Sequence, residues 1–105
     1  MTFINLTPHA LNIHTPDGVV NLAPSGEVAR VSSSSEVAGF LGDIPLFRTT
    51  LGEVTGLPAP EEGVALIVSG MVAAASPRKD VFSPGDLVRD DGGRPVGCKG
   101  LRCSL

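Results

Sequence analysis

The hydrophobic residues of the chain fall into short runs that are separated by turn-forming sequences. Gly and Pro recur at short intervals, in TPDG, APSGE, GLPAP, SPGD and DDGGRP, and β-prone residues occupy the segments between them. Regularly spaced turns with short strands between them are typical of a β-sandwich or a β-barrel. The pattern predicts strands over residues 3–6, 11–14, 19–22, 27–31, 46–50, 64–68, 87–89 and 95–98.

Two pairs of these strands are predicted to form hairpins. In LNIHTPDGVVNL, residues 11–22, Pro16 presets the first torsion angle of a turn and Gly18 can take a positive φ. In LVRDDGGRPVGC, residues 87–98, the sequence Asp-Asp-Gly-Gly supplies the turn in the same way. The flanking runs alternate between apolar and polar residues, as strands with one buried face do.

Helical content is expected to be small. Residues 69–75 are the best helix candidate, because Ser69 can cap the first turn, the alanines favour a helix and Pro77 ends it. The sequence SSSSE, residues 32–36, is interpreted as a loop. We therefore expect one mainly β domain over residues 1–105, a small antiparallel β-barrel or sandwich with one or two short helices.

Composition limits the partners and compartments open to such a domain. The net charge is −3, and the 8 Lys and Arg residues are spread along a chain with only 4 aromatic residues. Nucleic-acid binding is not expected, because it needs concentrated positive charge and often aromatic stacking. No membrane association is expected either, since the longest apolar run, residues 64–68, is far too short to span a bilayer. The N-terminus lacks the pattern of a signal peptide, which favours a cytoplasmic protein with reduced cysteines.

The first candidate site is the corner that follows the apolar run at residues 64–68. A helix beginning at Ser69 would present free N–H groups to a phosphate or carboxylate, and Gly70 would admit a close backbone approach. Arg78 follows the helix, and its planar fork matches a phosphate group. The alternative is a plain strand-to-helix corner in which Arg78 pairs with Asp80.

Two further segments carry candidate ligand-binding residues. Arg89 lies in a basic C-terminal hairpin, where it forms either one wall of an anionic pocket or part of a solvated surface. In LTPH, Thr7 can bond the backbone and His9 can donate from its ring, although a structural histidine is the alternative. Phe82 lies between the two arginines in the sequence and would stack on a base, unless it packs in the core.

Catalytic and metal-binding motifs are absent from the sequence. His9 and His14 stand at no zinc-site spacing relative to the two cysteines, and no P-loop, GxGxxG or Gly-x-Ser-x-Gly motif occurs. Cys98 has Lys99 beside it, but the segment GCKG matches no known nucleophile motif. We therefore expect no catalytic residue, no metal and no cofactor.

Six fragments of the chain together carry a resemblance. They are INLTPHAL (4–11), PSGEVARV (24–31), GEVTGLPAP (52–60), IVSGMVAAA (67–75), RKDVFSPGDLVRD (78–90) and GCKGL (97–101). With its TPH, IVSxxVAxA, RxD and GCxGL motifs, the chain resembles a family of small proteins from tailed phages and from actinobacterial and other bacterial genomes. The resemblance implies a location, which is the host cytoplasm if the chain is encoded by a phage, but it implies no activity. Small phage proteins that sequester nucleotide immune signals share this size and setting but no motif, so they transfer no residue roles.

These observations lead to three functional expectations. The first is a non-catalytic, homo-oligomeric module that sequesters a small anionic nucleotide-like ligand, such as a cyclic nucleotide or an ADP-ribose derivative, as a phage anti-defence sponge. The second is a structural or assembly protein of a phage particle. The third is a small hydrolase of nucleotide derivatives that uses His9 or Cys98. The ligand-binding residues expected for the first are Thr7, His9, Ser69, Gly70, Arg78, Phe82 and Arg89.

Overall fold

The computed structural model describes residues 1–105, and its architecture is mainly β with one short helix. No helix has the length and hydropathy that crossing a membrane would require. The elements are β1 (Thr2–Asn5), β2 (Leu11–Thr15), β3 (Gly18–Leu22), β4 (Arg30–Leu41), β5 (Ile44–Thr55), β6 (Val64–Ile67), α1 (Gly70–Ala75), β7 (Val81–Pro84), β8 (Leu87–Arg89), β9 (Pro95–Cys98) and β10 (Leu101–Cys103).

The strands form two four-stranded sheets and one separate pair. The first sheet has the order β1-β6-β7-β10, the second has the order β3-β2-β9-β8, and β4 pairs with β5 alone. These sheets do not close into a barrel, so the sandwich-like alternative of the predicted fold is the consistent one. The pairs β1–β6, β6–β7 and β2–β9 are parallel, and the expectation of an antiparallel fold is wrong for them.

A parallel crossover from β6 through α1 to β7 organises the first sheet. Parallel neighbours need a connection of about a dozen residues or more, usually with a helix, and residues 68–80 provide it. Ser69 caps α1, because its Oγ accepts from the Val72 N–H at 3.3 Å. The helix predicted over residues 69–75, with Ser69 as its cap, is confirmed.

The hydrophobic core lies where this crossover packs on the first sheet. In β7, Val81 and Ser83 are buried while Phe82 and Pro84 are partly exposed, as the two-residue period of a strand requires. Neither β7 nor β10 was predicted, because both are short and both depend on neighbours that are distant in sequence. The core residues are Leu6, Ala29, Leu66, Val68, Val72, Ala73 and Val81.

Both predicted hairpins are present. In the first, Thr15 lies opposite Gly18, which has a φ of +132°, and Pro16 and Asp17 form the turn. In the second, β8 and β9 pair antiparallel around the turn at residues 90–94. Turn chemistry that is local in the sequence was therefore enough to place these four strands.

The prediction of a loop at SSSSE is wrong. Residues 32–36 lie inside β4, which forms a long hairpin with β5, each strand having 12 residues. Gly42, with a φ of +62°, stands first in the two-residue turn, the position where a type II′ turn needs glycine. The hydroxyls of Ser35 and Thr49 lie 3.2 Å apart across the pair. We call this hairpin, residues 30–55, the arm.

Candidate ligand-binding site

A buried polar network holds the TPH segment at the end of β1. The Asn5 side chain, only 2% exposed, donates to the carbonyl oxygens of His9 at 2.8 Å and Leu22 at 3.1 Å. Its Oδ1 accepts from the Thr7 N–H at 3.0 Å and from the Thr7 hydroxyl at 2.6 Å. Thr7 therefore uses its hydroxyl inside the fold, and the network fixes the backbone from which His9 projects.

A cavity opens beside this segment. It has a volume of about 630 Å³, within the range of small-molecule sites. His9 and Asn12 contribute polar groups, and Leu87 and Val96 are among the apolar residues of its wall. The cavity thus combines a mainly apolar wall with two side chains that can hydrogen-bond to a ligand.

Cys98 lines the same cavity but is poorly placed for nucleophilic chemistry. It is a free cysteine with only 2% of its surface exposed, whereas reactive thiols lie in partly open, electropositive surroundings. No group of three or more His, Cys, Asp or Glu side chains is arranged to hold a metal ion. The burial of Cys98 therefore disfavours a nucleophilic role for its thiol.

Arg78 follows α1 and is held in a fixed orientation. Its Nε and Nη2 donate to Asp80 Oδ1 at 2.9 Å and Oδ2 at 2.6 Å, and its Nη1 donates to the Pro58 carbonyl at 3.1 Å. The hydrogen bond from Arg78 lowers the pKa of Asp80 below its ordinary value, and the same bond raises the pKa of Arg78. The pairing of Arg78 with Asp80, which the sequence offered as the alternative to a ligand site, is formed. It leaves two of the five guanidinium N–H groups without a partner.

A second cavity, of about 320 Å³, adjoins this ion pair. Arg78 and Phe82, two of the predicted ligand-binding residues, line it together with Lys79. Lys79 is exposed and forms no ion pair, so its charge is uncompensated. Lys79 was not among the predicted ligand-binding residues. Its position between Arg78 and Asp80 could have indicated it, because a pairing of those two residues leaves Lys79 as the free cation.

Strand β7 connects the two cavities. Phe82 lines the smaller cavity and Pro84 lines the larger one. Phe82 and Pro84 share the outer face of β7 and lie about 7 Å apart, so the two cavities are close together, and Val81, buried on the other face, also lines the smaller one. His9 and Arg78, which are distant in the sequence, thus line cavities that are neighbours in the fold.

The remaining predicted residues lie elsewhere. Ser69 lines a third cavity, of about 250 Å³, together with Arg30, while its hydroxyl caps α1. Gly70 begins the helix, and a Cβ at this position would meet nothing within 4 Å. Arg89 is exposed on β8, donates from Nη1 to the Gly93 carbonyl at 2.9 Å and lines none of the three cavities. A single chain therefore does not gather all seven predicted residues into one site.

Comparison with known proteins identifies no relative. A scan against protein-family models, a search of curated proteins and a search of solved structures each found no match. The proposed function therefore rests on the geometry and chemistry of the two cavities beside β7.

Proposed function

We propose that the protein is a non-catalytic binding module that holds a small anionic, nucleotide-like ligand along the outer face of β7. The observation that carries this proposal is the cavity shared by Arg78, Lys79 and Phe82. Guanidinium and ammonium groups suit phosphate oxygens, and an aromatic ring suits a stacked base. His9 and Asn12, in the adjoining cavity, supply hydrogen-bonding groups for a sugar or a base.

The electrostatics of the smaller cavity support an anion. Asp80 neutralises Arg78 but also holds its guanidinium in place, so little side-chain freedom is lost when a ligand binds. Lys79 leaves the cluster of two cations and one carboxylate with a net charge of +1. Phosphate binding would therefore depend on Lys79 for charge and on Arg78 for orientation.

The setting that the resemblance implies, and no shared motif, suggests a nucleotide signal as the ligand class. A phage-encoded chain that binds a cyclic nucleotide or an ADP-ribose derivative without cleaving it would lower the free signal in the host cytoplasm. Such sequestration is stoichiometric and needs no nucleophile or general base. The buried position of Cys98 agrees with that requirement.

The proposal is tested by identifying what the full-length protein retains. The protein is incubated with an extract of cells whose nucleotide-based immune signalling is active, washed and heat-denatured, and the released compounds are analysed by mass spectrometry. We expect one intact nucleotide derivative in stoichiometric amount. A modified product formed over many turnovers would instead support the hydrolase, and an empty protein would contradict both.

Variants then locate the site. Lys79→Gln should weaken binding of ADP-ribose or of a cyclic dinucleotide, whichever is retained, at least about 10-fold, since a hydrogen bond to a charged group is worth about 1.5–3 kcal/mol. Phe82→Leu should also weaken it by about 10-fold, since stacking of a base on an aromatic ring is worth about 1–3 kcal/mol. Lys99→Gln is the matched control, because Lys99 is also an exposed lysine but lines neither cavity. Equal affinity of the folded Lys79→Gln and Lys99→Gln proteins would place the site elsewhere.

A second candidate function, a structural or assembly protein, is favoured by one observation. The arm carries a group of exposed large apolar side chains that nothing within the chain covers. Exposed apolar patches of this kind mark protein–protein contacts. A protein that retains no small molecule but forms a stable complex with other particle proteins would support this candidate.

A further inference from the structure

The chain exposes more surface than a folded monomer of its mass. Its accessible surface is 7112 Å², whereas a compact monomer of 10.8 kDa exposes about 5,500 Å². The radius of gyration is 16.4 Å, against about 13 Å for a compact domain of this length. The excess is on the order of 1,600 Å² per chain, which is about twice what each partner buries in a standard protein interface.

The arm contributes to this excess surface. Its strands have 12 residues each and have almost no buried positions on either face. A two-stranded hairpin that nothing else supports is only marginally stable in water. The outer half of the arm also exposes between 45% and 68% of each of six large apolar residues. These residues, which we call the arm tip, are Val37, Phe40, Leu41, Ile44, Leu46 and Phe47.

Both outer edges of the arm are unpaired. Each strand of the arm pairs only with the other, so the outer N–H and C=O groups of β4 are open to a further strand. Natural proteins usually protect such an edge with Lys, Pro or a covering segment. Residues 32–36 contain neither Lys nor Pro, and the register shifts of β4, between Val31 and Ser33 and between Val37 and Gly39, lie on either side of most of this stretch, which leaves a short open edge for strand addition.

We propose that the arm is an association element and that a second copy of this chain covers it. The first reason is the size of the excess area, which is larger than what one partner buries in a standard interface. A second copy is the partner that is always present. The second reason is the charge of the arm, which carries Arg30 and Arg48 against Glu36, Asp43 and Glu53. Both signs are spread along the hairpin and its net charge is only −1, so it has no charge pattern that would select a strongly basic or acidic partner.

The same chain also carries a surface that is complementary to the arm tip. An apolar groove of about 280 Å³ is lined by residues of both four-stranded sheets, from β1 and β10 of the first and from β2 and β3 of the second. Residues such as Phe3 and Val20 are themselves about half exposed there. A groove of this size accepts one or two large side chains of the arm tip from a neighbouring copy. The apolar residues that line it are Phe3, Ile13, Val20, Leu22 and Leu101.

The association state of the full-length protein tests this proposal, independently of any ligand. Sedimentation velocity over a wide concentration range should show an oligomer whose mass is a multiple of 10.8 kDa. The double variant Phe40→Thr/Phe47→Thr should weaken association at least about 100-fold, since threonine keeps the preference for a strand and removes two exposed rings. Met71→Gln is the control, because Met71 is 50% exposed on α1 and glutamine keeps the helix preference.

Each outcome decides the question. A wild-type protein that stays monomeric at all concentrations overturns the proposal, as does a double variant that associates as strongly as Met71→Gln. If the double variant does not fold, hydrogen exchange on the wild-type protein replaces it. Slow exchange of the outer amides of residues 32–36 that becomes fast on dilution supports the proposal, and fast exchange at every concentration overturns it. If the chain is monomeric and its arm is protected only when a different protein binds, a second copy of the chain is not the partner and the proposal is overturned.

Discussion

The substitution Asn5→Ala should be among the most destabilising single changes in this chain. The Asn5 side chain makes four hydrogen bonds and is almost completely buried. Alanine removes all four bonds but leaves the backbone of the TPH segment in place. The consequence depends on which of the former partners can find water or another protein group.

The four partners differ in this respect. The Thr7 hydroxyl can still donate to the His9 carbonyl, which lies 3.0 Å away, so it keeps a partner. The Thr7 N–H is buried and is left unsatisfied, which costs about 1–3 kcal/mol. The carbonyls of His9 and Leu22 are partly exposed and can bind water, so each lost bond costs about 1 kcal/mol. The expected loss in the free energy of unfolding is therefore about 3–5 kcal/mol, a large part of the about 5–15 kcal/mol typical of a domain.

Urea unfolding measures this loss directly. Asn5→Ala should lower the midpoint while the slope stays constant, and Asn21→Ala is the matched control. Asn21 is an exposed asparagine whose amide donates to Asn12 Oδ1 at 2.6 Å, so its replacement should cost less than about 1 kcal/mol. Equal losses for the two variants would refute the reasoning. A loss of about 1 kcal/mol or less for Asn5→Ala would show that the buried network does not hold the TPH segment.

Three further predictions concern other parts of the fold. The carboxylate of Asp80 has a lowered pKa, so the stability it contributes is complete above the ordinary value of about 4 and is lost as the pH falls below it. Asp80→Asn should therefore flatten the decrease in stability below about pH 4, and an unchanged acid profile in urea unfolding would contradict this. Gly97→Ala would place a Cβ 2.5 Å from the Asn12 carbonyl oxygen and should cost about 1–3 kcal/mol in thermal unfolding, whereas a neutral effect would mean that β2 and β9 lie further apart. A thiol reagent should modify the exposed Cys103 in the native protein and the buried Cys98 only after unfolding, and simultaneous modification would contradict the burial of Cys98.

Local turn chemistry made part of the fold predictable. The hairpin of β2 and β3 follows from alternating residues on either side of a Pro-Asp-Gly turn, and α1 follows from its serine cap. The long strand β4 was missed because its serines have little preference for a strand by themselves. Their conformation depends on β5, where residues such as Thr49 and Thr50 favour a strand and pair directly with them.

The candidate site was predictable only in its residue types. Arg78 and Phe82 were expected to contact a ligand, and they line one cavity because the crossover through α1 delivers Arg78 to the start of β7. Lys79 was missed because an exposed lysine is the usual state of that residue, and because the possible pairing of Arg78 with Asp80 was not followed to its consequence, a Lys79 without an acidic partner. Arg89 likewise lies away from this cavity because of the order of the strands in the sheets, which cannot be read from the spacing of residues along the chain.

The arm and the crossover depend on the same helix. On one side α1 packs against β7, at whose beginning Arg78 binds Asp80, and on another side it contacts both β4 and β5 at the base of the arm. Only 14 of the 105 residues are buried, so the core alone offers little to hold a projecting hairpin of this length. Covering the arm tip in an oligomer would fix the arm, and the fixed arm would in turn hold α1 against the sheet. The proposed ligand cavity therefore lies at the end of a segment whose helix also contacts both strands of the arm.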